Sequence, residues 1–231
     1  MKPSRKPGSP HRILIVDDHP MVREGLRMLI ESEPDCEVAF ECETAATALE
    51  IVISNSPDLV LTDITLPGRS GLELIKDIHA VEPDLPILVI SMHDESLYAE
   101  RALRAGARGY IMKHEGGPRL MQAVRRVLGG HVYVSDRTSE RVLALLSGRP
   151  NLSQRPGIER LSDREFDVFQ LLGQGLSAHD IGDRLHLCAK TIDAHRANIK
   201  RKLTLKTTSE LISYAARWIA HQTIAPARQP A

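Results

Sequence analysis

The sequence predicts an α/β doubly wound domain built on a five-stranded parallel sheet, followed by an all-α helix-turn-helix domain. Three observations carry this. Short apolar runs alternate with helix-length segments from His11 to Gly129, which is the pattern of a parallel sheet crossed by helices. Those runs end on Asp17-Asp18, Asp63, Ser91 and Lys113. From Leu161 to Ile219 no strand-like run remains.

Strands are expected at 12–16, 36–41, 58–62, 86–91 and 108–112, where β-branched and apolar residues cluster. Between them, apolar residues recur at helical spacing: Val22, Leu26, Leu29 and Ile30, then Ala45, Ala48, Leu49 and Val52. Leu72, Ile75 and Ile78 supply a later stripe, and Leu120, Val124, Val127 and Leu128 the last, which Gly129-Gly130 ends. Residues 11–129 form the first domain. Residues 130–156 read as a linker with a short apolar stretch, a helix near 138–147 and a Gly-Pro-rich breaker cluster. The second domain covers 157–222. Met1 to Pro10 is expected to be a disordered lead, and the tail from Thr223 likewise.

At 231 residues the chain can bury two modest cores. Its formal net charge is zero, yet the halves differ. Residues 11–129 carry 12 Lys+Arg against 20 Asp+Glu, a net of −8, whereas 157–218 carry 10 against 8, a net of +2. The segment 188–206 concentrates Lys190, Arg196, Lys200, Arg201, Lys202 and Lys206 against the single acid Asp193. An acidic half before a basic stretch implies two separate tasks. Cys36, Cys42 and Cys188 lack metal-ligand spacing and read as thiols in a reducing cytoplasm. No run of 18 apolar residues is present and the start lacks a secretory apolar core, so no membrane association is expected.

In an open parallel sheet the strand ends share the carboxyl edge, where ligands bind. Three carboxylates, a hydroxyl and an ammonium therefore converge on one crevice. Asp17, Asp18 and Asp63 would repel one another, and Mg2+ is the matching counterion, since it takes few carboxylates and keeps several waters. One carboxylate can then attack a phosphodonor to give an aspartyl phosphate. Asp63 is the candidate acceptor, because it ends the central run and Pro67, Gly68 and Gly71 form a loop that can approach it closely. The Lys113 ammonium and Ser91 hydroxyl would hold the phosphoryl oxygens.

These residues resemble the receiver domain of two-component response regulators over essentially all of 11–129. The resemblance implies a flavodoxin-like fold, phosphorylation of Asp63 by a sensor histidine kinase, and Mg2+ held by Asp17, Asp18, Asp63 and the backbone carbonyl of Thr65. It gives Ser91 and Tyr110 a coupled switching role, the ring turning inward on phosphorylation. Thr65 departs from the family, where Met or Asn is commoner.

In the second domain Ser162 and Glu165 form a capping box. Phe166, Val168, Phe169, Leu171 and Leu172 follow at helical spacing, up to Gly173–Gly175. Ser177 caps a second helix with Ile181 and Leu185, and a third runs from Ala189 to about Leu203 with Ile192, Ile199 and Leu203 inward. Two helices joined by a short turn, the second basic, make a helix-turn-helix. A last helix near 208–219 carries Leu211, Ile212, Ala215, Ala216 and Ile219 at core spacing.

Segment 161–218 is similar to the DNA-binding domain of LuxR-type regulators, and with the receiver it resembles the NarL/FixJ subfamily. That resemblance implies promoter DNA as partner, a homodimer when phosphorylated in which part of the last helix's apolar face pairs two DNA-binding domains instead of covering the core, and RNA polymerase as a further candidate partner. It places Lys190, Asp193, Ala194, Arg196 and Ala197 near base edges, and Ser177, Thr191, Lys200 and Lys206 near phosphates. Asp193 stands where several relatives have Lys, and a carboxylate can accept from a cytosine amino group. An aspartate-nucleophile phosphatase is the competing reading, but its second carboxylate two positions on is here Thr65. The chain is therefore expected to be a cytoplasmic regulator and not an enzyme.

Overall fold

The computed structural model describes residues 9–146 and 157–223, in two compact units, the first ending at Leu146. The leader before residue 9, the breaker cluster at 147–156 and the tail from 224 lie outside the described residues.

The first unit alternates β1 (His11–Val16), α1 (Pro20–Glu31), β2 (Cys36–Cys42), α2 (Ala45–Asn55) and β3 (Leu59–Thr62). It continues with α3 (Gly71–Val81), β4 (Ile87–Ser91), α4 (Glu95–Ala105), β5 (Gly109–Met112), α5 (Gly117–Leu128) and α6 (Asp136–Leu146). All strand pairs are parallel, in the order β2-β1-β3-β4-β5. The order reverses between β1 and β3, the position at which such sheets open a crevice. Every residue of β3 and β4 is buried, as expected of strands covered by helices on both faces.

Helix starts follow their side chains. Thr44 accepts the Thr47 amide, and Ser70 with Glu73 closes a capping box at α3. Helix α4 buries Tyr98, Ala99, Ala102 and Ala105, a face of mostly small residues that hydropathy marks weakly.

The structure departs from the expected linker over 130–156. Tyr133 exchanges backbone hydrogen bonds with the β5 edge: its carbonyl accepts from the Tyr110 amide at 2.8 Å, and its amide donates to the Arg108 carbonyl at 3.0 Å. The Ser135 amide then donates to Glu95 at 2.7 Å, and α6 packs on α4. The physical reason is the open edge of β5, whose amide and carbonyl need partners. Residues 131–146 therefore belong with the sheet.

The second unit is helical: α7 (Asp163–Gly173), α8 (Ala178–Leu185), α9 (Ala189–Leu203) and α10 (Thr208–Thr223). Phe166 and Phe169 meet Trp218 edge-on, with ring centroids 5.6 and 5.7 Å apart. The inward residues of α10 are Leu211, Ala215 and Trp218, whereas Ile212 and Ala216 face outward, because the helix turns its aromatic stripe to α7. No described helix is long and apolar enough to cross a membrane.

Candidate functional site

The crevice lies where β1 and β3 part. Asp17 and Asp18 follow β1, Asp63 follows β3, Ser91 ends β4, and Lys113 follows β5. Asp17 is fully buried and Asp63 is 4% exposed. The Lys113 ammonium donates to Asp17 Oδ2 at 2.6 Å and to Asp63 Oδ2 at 2.7 Å, so residues far apart in sequence share one charge-assisted contact. Asp63 Oδ1 also accepts the Ile64 amide at 2.6 Å.

Burial pushes the Asp63 carboxyl above its ordinary value, against the pull of Lys113, and the neighbouring Asp17 charge adds to the rise. Burial works to lower Lys113, but the Asp63 charge and the hydrogen bonds to both carboxylates outweigh it, and its pKa is raised. Asp17 and Asp63 thus share one ammonium, while the less buried Asp18 lies 2.7 Å from His19 Nδ1.

The loop after Asp63 is fitted closely. A Cβ on Gly71 would stand 1.9 Å from the Asp63 carbonyl oxygen, so only glycine allows α3 to start this close to the Asp63 backbone. Gly68 holds a left-handed φ of 76° in the same loop.

Ser91 is buried close to Asp63 and Tyr110, and its hydroxyl accepts the His93 amide at 3.3 Å. The Tyr110 ring is already turned inward, 1% exposed, and its hydroxyl donates to the His93 carbonyl at 2.8 Å. Two histidines were not anticipated. His93 Nε2 lies 2.9 Å from the Thr65 hydroxyl, so the Thr65 side chain is engaged there. His19 Nδ1 lies 2.7 Å from Asp18 Oδ1 and 3.3 Å from Asp17 Oδ1. Their only sequence signal is adjacency, His19 directly after the Asp pair and His93 two residues after Ser91. Asp17, Asp18 and His19 bring ligand atoms close enough to hold a cation together, while Asp63 joins this group through Lys113.

In the second unit, Ser162 accepts the Glu165 amide at α7 and Ser177 accepts the Asp180 amide at α8, both as capping boxes. His186 ends α8 in a left-handed conformation, and Gly182 lets the turn fold back, since a Cβ there would stand 2.5 Å from the Leu187 carbonyl oxygen. Buried Arg164 donates to the Leu185 carbonyl at 2.8 Å, and Lys202 donates to Glu165 at 2.6 Å, fixing α8 and α9 on α7.

Ile192 and Ile199 anchor α9 on its inner face, so Lys190, Asp193, Ala194, Ala197 and Arg201 stand exposed on the outer one. Thr191, Arg196 and Lys200 lie half-buried at its margins, and Ser177 and Lys206 are exposed at the neighbouring turns.

A doubly wound sheet with a buried acidic crevice, together with a helix pair whose second helix is basic, defines a class of two-domain DNA-binding regulators. Residues 13–125 match the response regulator receiver domain, and residues 159–215 match the LuxR family of bacterial regulatory proteins. The chain belongs to the NarL/FixJ-type two-component response regulators. It is 33% identical over 214 residues to the oxygen regulatory protein NreC of Staphylococcus epidermidis, covering 89% of this chain and 97% of that one. It is 35% identical over 207 residues to the virulence transcription regulator BvgA of Bordetella pertussis, covering 90% and 97%. Among solved structures it is similar to RcsB of Salmonella enterica serovar Typhimurium bound to promoter rprA with a phosphomimetic. That similarity has 25% identity, a TM-score of 0.58, and coverage of 90% of this chain and 99% of that one.

Proposed function

We propose that Asp63 accepts a phosphoryl group from a sensor histidine kinase, and that its modification controls dimerisation and promoter binding through α9. The observation that carries this is the shared Lys113 contact, which ties the ends of β1, β3 and β5 into one pocket.

In the transfer, an Asp63 carboxylate oxygen bonds to phosphorus as the kinase histidine N–P bond breaks, and the imidazole leaves with the electron pair and takes up a proton. Lys113 then pairs with the new phosphoryl oxygens, and the Ser91 hydroxyl donates to another. With Ser91 drawn toward the phosphoryl group, the inward Tyr110 ring keeps its bond to the His93 carbonyl and holds the β4–α4 loop. Asp17 and Asp18, with Asp63 and the Thr65 carbonyl, would hold Mg2+, which supplies the positive charge the pocket lacks and screens the transferring oxygens. The donors suit that ion, being hard oxygens, two of them on carboxylates that share a single ammonium.

The α9 helix enters the major groove with Lys190, Asp193, Ala194, Arg196 and Ala197 toward base edges, while Ser177, Thr191, Lys200 and Lys206 contact phosphates. RNA polymerase is a further partner of the promoter-bound form. Thr65 occupies the position of a phosphatase's second carboxylate, which supports a regulator rather than an enzyme acting on outside substrates. A DNA-bound regulator served by a kinase acts in the cytoplasm.

The test is binding of the full-length protein to promoter DNA with magnesium, with and without acetyl phosphate, beside Asp63→Asn. Tightening and dimer formation by light scattering that disappear in Asp63→Asn are expected. Equal binding under all conditions would refute control by Asp63.

A further inference from the structure

Asp193 is the one acid in the basic run of α9, and its side chain is 69% exposed on the outer face. Two of its neighbours there, Ala194 and Ala197, end at a methyl, which leaves that side of the carboxylate open to a surface laid against the helix, with the longer Lys190 one turn before it. Arg196 Nη1 lies 3.4 Å from Asp193 Oδ1, one turn on. A carboxylate on a phosphate-facing helix works against attraction, and this guanidinium offsets the penalty locally.

An ionised carboxylate only accepts hydrogen bonds. In the major groove, guanine offers acceptors and thymine an acceptor and a methyl. Adenine offers a donor beside an acceptor, and the acceptor N7 repels a second carboxylate oxygen. Cytosine alone presents a donor without a competing acceptor on its own edge. We infer that Asp193 reads a cytosine amino group, with Arg196 as the positioning residue that holds its carboxylate in place. This rests on the DNA-reading function proposed above for α9.

Duplexes are selected from a randomised pool with full-length protein, magnesium and acetyl phosphate. Wild type is compared with Asp193→Ala, Asp193→Asn, Arg196→Ala and Arg196→Lys, with circular dichroism confirming equal helicity. Wild type is expected to enrich one C·G pair that Asp193→Ala leaves unselected, discrimination there falling roughly 5- to 150-fold. Asp193→Asn shifts the same pair toward adenine, which an amide binds through N6 and N7. Arg196→Ala weakens preference at that pair as well as at any base Arg196 itself meets, and Arg196→Lys restores it at the Asp193 pair. If Asp193→Ala keeps the wild-type sequence and merely binds every duplex more tightly, the carboxylate is only a repelling charge and the inference fails. If Arg196→Ala leaves preference at the Asp193 pair unchanged, the positioning role fails. If wild type enriches no sequence, the DNA-reading function itself falls.

Discussion

In the receiver unit, Asp17 and Asp63 meet the Lys113 ammonium at 2.6 and 2.7 Å, withdrawn from water beneath the carboxyl edge of the sheet. In the helical unit, Lys190, Asp193 and Arg201 stand out from α9 into solvent. The difference follows from what each must do. Bond making at phosphorus needs charge fixed to a fraction of an ångström in a medium that does not screen it. Groove recognition needs side chains that reach, shed water on contact and draw on the phosphate field. Buried charge therefore makes a site whose loss is felt in the fold, whereas exposed charge can change with little effect on stability.

That contrast is sharpest at Lys113. Replacing it with Met leaves two buried carboxylates without their cation, and without divalent ions the receiver unit is expected to lose about 3–5 kcal/mol. Denaturation followed by far-UV circular dichroism measures this, while fluorescence of the single tryptophan, Trp218, follows the helical unit and is expected not to shift. A receiver transition moved by less than about 1 kcal/mol would contradict the buried-charge account.

Gly71→Ala tests geometry without altering any charge. Its Cβ cannot coexist with the Asp63 carbonyl at 1.9 Å, so α3 must shift, at about 3 kcal/mol. Labelling by acetyl phosphate is expected to fall although every carboxylate remains. Unchanged labelling would mean that the loop does not set the Asp63 position.

The smallest effect lies across the helical unit. Burial raises Glu165, but the Lys202 and Ser162 hydrogen bonds outweigh it, and the carboxyl sits below its ordinary value of 4.5. A depressed acid contributes stability fully above its unfolded pKa and loses it as pH falls through the folded one. Trp218 melts between pH 3 and 7 should therefore show wild type losing stability below about 4.5. Lys202→Met is expected to start about 1 kcal/mol lower at pH 7 and to fall less steeply. Parallel curves would exclude the Glu165–Lys202 contact as the source.

The fold was legible because β1, β3, β4 and β5 are short apolar runs ended by a polar residue. All five observed strands lie within one residue of the expected ranges. The same register carried Asp17, Asp63 and Lys113, since parallel strands bring their ends to one edge whatever the intervening sequence. Other features depend on contacts between distant segments. Nothing local marks the Thr65–His93 hydrogen bond, or the burial of Arg164 against the end of α8. Hydropathy alone does not separate the core side of α10 from Ile212 and Ala216, which face outward while Trp218 packs on α7. The pairing that joins 131–146 to the sheet leaves little trace in the sequence, because a backbone contact at Tyr133 asks little of its side chain.

That stretch has a consequence for how the sheet ends. Cut after Gly129, the receiver would leave the Tyr110 amide and the Arg108 carbonyl facing water on a straight outer strand. Such a rim invites another copy to add its own strand, and natural sheets guard against this with a cover. Here the cover is tethered, so its local concentration never falls on dilution, and neighbouring molecules meet a rim that is already taken.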